Sequence, residues 1–164
     1  MKLTPSLARR SLASIAAALG AAAPMAAAAQ ETAPNGIITY MPEDPQLRAL
    51  YEQYGFAEAV VHGDTIYISG IIAGPAGEGE SEEDAYVRAF DGIGKVLQRV
   101  GSSWDDVLDI TSFHVDLAAS GETFVAVKNR YLKAPFPAWT AIGIDQLFIP
   151  GGLVEIKIVA RLKQ

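Results

Sequence analysis

The chain has 164 residues, the size of one ordinary domain, with 13 basic and 19 acidic side chains, a net charge of −6 and no cysteine. The acidic balance argues against nucleic-acid partners, which need clustered Lys and Arg, and against docking on anionic membranes. Without cysteine there are no disulfides, thiolate nucleophiles or cysteine metal sites.

Lys2, Arg9 and Arg10 give a basic start, and residues 11–29 are an apolar, alanine-dominated run broken by Gly20 and Pro24. Ala27, Ala28 and Ala29 are the small residues a signal peptidase prefers, with the cut before Gln30. Together these features predict a secretory signal peptide over residues 1–29 and a periplasmic mature protein with no membrane segment. A membrane anchor is the weaker alternative, because a spanning helix needs ~20 strongly apolar residues and alanine is only mildly apolar. Arg9-Arg10-Ser11-Leu12 resembles a twin-arginine signal, with the general export route as the other option. Cleavage removes three basic residues and leaves 10 against 19 acidic ones, a net charge of −9.

Residues 30–54 read as a leader and N-terminal extension. Residues 30–36 are polar and expected to be disordered, residues 37–40 suit a short strand, and residues 46–54 suit a short helix ended by Gly55. Residues 56–61 and 65–69 are apolar or β-branched runs around His62-Gly63-Asp64, which predicts a hairpin. Residues 73–80 form a Gly-rich acidic loop, but without the Gly-Lys-Ser/Thr ending of a phosphate loop. Ser81-Glu82-Glu83-Asp84 resembles a capping box. Tyr86, Ala89, Ile93, Val96 or Leu97, and Val100 then recur at helical spacing, and Gly101 closes the helix. Gly92 and Gly94 lie inside it, and close packing against a neighbour would account for them.

Residues 107–117 read as a central strand. Ser120 is placed to cap a second helix carrying Phe124, Val127 and Tyr131 on one face, with Pro135 and Pro137 ending it. Residues 138–144 and 153–162 read as strands, separated by a turn at Pro150-Gly151-Gly152. This order predicts an α+β fold: about six strands in one mixed sheet, with two helices on one face.

The last strand alternates. Val154, Ile156, Ile158, Ala160 and Leu162 point toward the helices; Glu155, Lys157 and Arg161 point away. In the strand before it, Trp139, Ala141 and Gly143 share one face, which this reading assigns to the helix-free side with Glu155. Trp and small apolar residues there favour a subunit interface, with a pocket at its edge.

The stretch from Gly55 to Ala160 resembles the RidA (YjgF) family of reactive enamine and imine deaminases. The similarity is carried by residues 59–70 (AVVHGDTIYISG), 101–107 (GSSWDDV), Pro137-Ala138 before a strand, and residues 152–156 (GLVEI). Residues 55–164 are identified as the RidA-like domain. The resemblance implies a fold similar to Bacillus chorismate mutase, a homotrimeric barrel with small-molecule clefts between subunits, and hydrolysis of an enamine or imine without metal or cofactor. It also implies an arginine after the Pro-Ala pair that clamps the substrate carboxylate, and a glutamate on the last strand that positions water or relays a proton.

Glu155 matches that glutamate and is the candidate catalytic residue; the alternatives are a polar strand residue or an interface ion-pair partner. Phe56, Ser69, Gly70 and Trp139 are the candidate cleft residues. Trp139 occupies the arginine's position, where it is a pocket wall or interface anchor, and Phe56 stands where many members have tyrosine. Lys157 offers either a substitute cation or a partner for Glu155. His114 reads as a satisfied structural histidine, His62 as an exposed turn residue and Tyr67 as strand packing. No metal-ligand spacing is present. The resulting expectation is an exported protein that binds a small metabolite and has little 2-imino acid deaminase activity. The alternative is a deaminase using Glu155 on substrates without a carboxylate.

Overall fold

The computed structural model describes residues 30–74 and 77–163. The expected signal peptide, residues 1–29, lies outside the described residues. One mixed sheet of seven strands runs through the domain: β1 (Gln30–Thr32), β2 (Ile38–Tyr40), β3 (Ala59–His62), β4 (Thr65–Ala73), β5 (Val107–His114), β6 (Ala138–Gly143) and β7 (Val154–Arg161). Their spatial order is β1-β2-β3-β4-β7-β5-β6. All neighbours are antiparallel except β5 and β6, which are parallel and joined through a helix, as a parallel crossover requires. The fold is thus of the expected α+β class. Residues 30–32, expected to be disordered, instead pair with β2 and add a seventh strand.

The described residues form three α-helices: α1 (Pro45–Tyr54), α2 (Glu82–Arg99) and α3 (Leu117–Tyr131). Asp44 caps α1 by accepting from the Gln46 and Leu47 amides, and Gly55, at φ 73°, closes it in the left-handed conformation. The Ser81–Asp84 capping box opens α2 as expected. The start of α3 differs. Asp116 accepts from the Ala119 amide and is the cap, while Ser120 lies one turn inside the helix with its hydroxyl engaged elsewhere.

Both α2 and α3 cover one face of the sheet. Tyr86, Phe90, Ile93 and Leu97 of α2 and Phe124 and Val127 of α3 meet Ile66, Ile68, Ile110, Ile156 and Ile158 from the strands, all essentially excluded from water. Aromatic contacts tie this core together: Phe90 stacks on Tyr131 at 5.1 Å and lies 5.6 Å from Phe124, which meets Tyr86 edge-on at 5.8 Å. At the surface Arg130 pairs with Glu83, and the Tyr131 hydroxyl donates to Asp91, linking the two helices. Gly94 admits the Trp104 indole, whose Nε1 would lie 3.1 Å from an added Cβ; Gly92 has open space around it, so packing explains only the first of these glycines.

Removing a large ring from this layer leaves a cavity that the sheet cannot close. Phe124→Ala is expected to destabilise the domain by about 3–5 kcal/mol, measured as a lowered midpoint in urea unfolding at unchanged slope.

Candidate functional site

The face of the sheet away from α2 and α3 carries the candidate acid. β7 is hydrogen-bonded on both sides, to β4 and to β5, which places Glu155 between Ile72 and Phe113. Its alternation is as expected: Val154, Ile156, Ile158 and Ala160 are buried, while Glu155 and Lys157 face the other way. Between Ile68 and Ile71 the β4–β7 register shifts, so Ser69 and Gly70 form a bulge. Bulges commonly re-aim side chains beside functional sites. Here the glycine in the bulge leaves room for the acid, because a Cβ at Gly70 would overlap the Glu155 carboxylate. The Ser69 hydroxyl donates to the Ala57 carbonyl at 2.6 Å, tying the bulge to the segment before β3.

Glu155, Ser69, Gly70 and Phe56 line one groove of about 710 Å³, closed by Tyr51 and Tyr54 of α1 and by Phe148 of the β6–β7 loop. This is the size of a small-molecule site. Tyr51 packs on Phe56 with ring centres 4.2 Å apart, and Tyr54 meets Phe148 edge-on at 5.4 Å. Burial pushes the Tyr51 phenol above its ordinary range, with the Arg99 guanidinium pulling the other way. Arg99 itself is ion-paired with Glu58. Among the described residues Glu155 has no ion-pair partner, and the pairing with Lys157, one of the two roles the sequence left open for that lysine, is not formed. Sequence reasoning missed α1 and Phe148 as parts of this site. Leu47, Leu50 and Tyr54, apolar residues at helical spacing in a short segment, were the available signal.

Trp139 is elsewhere. The parallel register sets Trp139 beside Ile110, Ala141 beside Ser112 and Gly143 beside His114. Those β5 residues are buried on the helix side, so Trp139 lies on the face opposite Glu155, correcting the face assigned from the sequence. Thr140 and Ile142 occupy the face expected for Trp139. The indole stacks near Phe124 at 6.2 Å, donates from Nε1 to Ser112 Oγ at 3.0 Å, and carries the Lys128 ammonium 4.5 Å above its ring. Within one protomer the structure therefore brings together Phe56, Ser69, Gly70 and Glu155, and leaves Trp139 across the sheet.

Behind Trp139 lies a buried polar chain. His114 is fully excluded from water; its Nδ1 meets Ser120 Oγ at 2.8 Å and its Nε2 meets Ser112 Oγ at 2.9 Å. The neutral ring, with one donor and one acceptor nitrogen, is satisfied by two hydroxyls that can each donate or accept. Burial holds the His114 pKa below the ordinary 6.5. Because the unfolded chain then takes up the proton more readily, stability is complete above pH 6.5 and falls as pH drops below it. Melting temperatures measured from pH 7.5 to 5 are expected to decline, with a smaller decline in His114→Gln.

The comparisons with known proteins agree with this architecture. The family described as Endoribonuclease L-PSP matches residues 47–162. The RutC family protein YjgH of Escherichia coli K12 is 36% identical over 120 residues, covering 71% of this chain and 89% of that protein. A solved structure of protein YJGH superposes with a TM-score of 0.61 at 31% identity, over 71% of this chain and 90% of that one. A YjgF-family protein from Neisseria meningitidis shares the fold, with a TM-score of 0.62 at 23% identity over 79% and 98% of the two chains. With a matched sequence that spans the groove, the bulge and both covering helices, the chain belongs to the RidA/YjgF (Endoribonuclease L-PSP) family.

Proposed function

We propose that this is an exported RidA-family protein that binds a small metabolite at Glu155 and has little 2-imino acid deaminase activity. The observation that carries this reading is the groove's lining: aromatic and aliphatic side chains, one carboxylate and no lysine or arginine. A ligand carboxylate entering it would lose water and gain no cation, at a cost of several kcal/mol. The residue after Pro137-Ala138, where the family resemblance calls for a clamping arginine, is Trp139. The absence of basic lining also favours a small molecule over a phosphodiester, whatever the family's nuclease description suggests.

A second reading, hydrolysis of imines or enamines without a carboxylate, is favoured by one observation. Glu155 lines the groove without an ion-pair partner among the described residues, which leaves its carboxylate available to orient water. Hydrolysis of an imino acid generated in situ separates the two. Wild-type protein is expected to show little turnover above background. Robust turnover lost in Glu155→Gln would overturn the binding reading, and its loss in Lys128→Gln would assign the missing positive charge to the lysine above Trp139.

We further propose a homotrimer. Tyr67, Phe113, Ile142 and Val159 share the face that α2 and α3 leave uncovered; Tyr67 is 52% and Ile142 39% exposed. Apolar side chains on an uncovered sheet face favour association. A cleft using both Trp139 and Glu155 requires two copies, since one protomer holds them on opposite faces. Sedimentation velocity of the purified protein is expected to give three times the protomer mass, and a monomer at micromolar concentration would count against the assembly.

A further inference from the structure

The lining of the groove at Glu155 has a pattern that narrows the ligand class. Four aromatic rings, Tyr51, Tyr54, Phe56 and Phe148, stand around a space whose one acidic side chain, among the described residues, is Glu155. They form two contacting pairs, Tyr51 with Phe56 and Tyr54 with Phe148. Tyr54 is 53% and Phe148 72% exposed, so both rings have faces free to take a ligand. Among the described residues of one protomer no lysine or arginine lines the groove, although Arg99 acts on Tyr51 from behind it. Arg99 is paired with Glu58, and Lys157, though on the same strand face, is exposed and does not line the groove.

An aromatic ring presents a negative face, and several rings around one negative charge attract an organic cation in preference to a neutral or anionic body of the same shape. We infer that the groove binds an organic ammonium, a protonated or quaternary amine on an apolar or aromatic body, with its nitrogen toward Glu155 and its body against Phe148 and Tyr54. The inference rests on the proposed reading of the groove as a ligand site and names the class of ligand. Ser69 Oγ, already committed to the Ala57 carbonyl as a donor, keeps its lone pairs as acceptors, which also suits an N–H donor. Leu47, Leu50, Ile71 and Ile72 supply the apolar wall for the rest of the ligand.

The test is calorimetric titration of the purified protein with three probes of one size: benzyltrimethylammonium, its uncharged carbon isostere neopentylbenzene, and phenylacetate. Benzyltrimethylammonium is expected to bind about tenfold or more tightly than the other two. Glu155→Gln is expected to weaken the cation at least about tenfold while leaving the isostere unchanged. Phe148→Ala, at an exposed loop position that the core does not depend on, is expected to weaken the cation as well. Isostere or phenylacetate binding as tight as the cation, or a cation affinity indifferent to Glu155→Gln, overturns the ammonium reading and leaves the groove as a ligand site of another kind. No binding by any of the three overturns both readings.

Discussion

Val154, Ile156, Ile158 and Ala160 are driven out of water beneath α2 and α3, and because strand side chains alternate, the same burial turns Glu155 and Lys157 outward. β7 lies between β4 and β5, hydrogen-bonded to both, so neither neighbour can slip without moving its apolar set off the core. The position of the acid is therefore a by-product of the burial of the apolar face of β7. The bulge in β4 completes the arrangement. Gly70 within it leaves open the space that the carboxylate occupies, where α1 and the β6–β7 loop border the groove.

Much of this was legible in the sequence wherever local pattern and tertiary demand coincide. The alternation of β7, the helical spacing of Tyr86, Ala89 and Ile93, the capping box at Ser81 and the hairpin at Gly63 are each set by residues a few positions apart. Four candidate site residues, Phe56, Ser69, Gly70 and Glu155, gather in one groove because Phe56 precedes the β3–β4 hairpin, Ser69 and Gly70 lie in β4, and Glu155 lies in β7, which pairs with β4. What escaped the pattern depended on partners distant in sequence. Ser120 has the right chemistry for a helix cap, but its hydroxyl is taken by His114, and Asp116 caps the helix instead. Trp139 sits on an edge strand that is exposed or half-exposed on both sides, so no alternation reveals which face is inward. Only the parallel register with β5 decides that.

The environment of Trp139 differs in kind from that of Glu155. Its indole nitrogen ends a chain of hydrogen bonds that passes through Ser112 and His114 to Ser120, and its ring lies beside Phe124 and under Lys128. A buried chain of this sort is stabilising when every member is satisfied and costly when one is removed. Burial also keeps the Lys128 pKa below its ordinary value, so the cation over the ring is held against a desolvation cost that its contacts with Trp139 and Asn129 offset. Trp139 is thus part of the domain's packing as well as the residue that follows Pro137-Ala138.

The backbone of the sheet stands between these two neighbourhoods, and it acts as insulation. Within one protomer the side chains around the indole have no direct path to the carboxylate on the far side, because the strands between them are pinned by their own hydrogen-bond ladders. The reverse holds for the aromatic rings of α1 and the β6–β7 loop. One short domain thereby presents two surfaces of different chemistry, kept apart within a protomer and able to meet only across a boundary between copies.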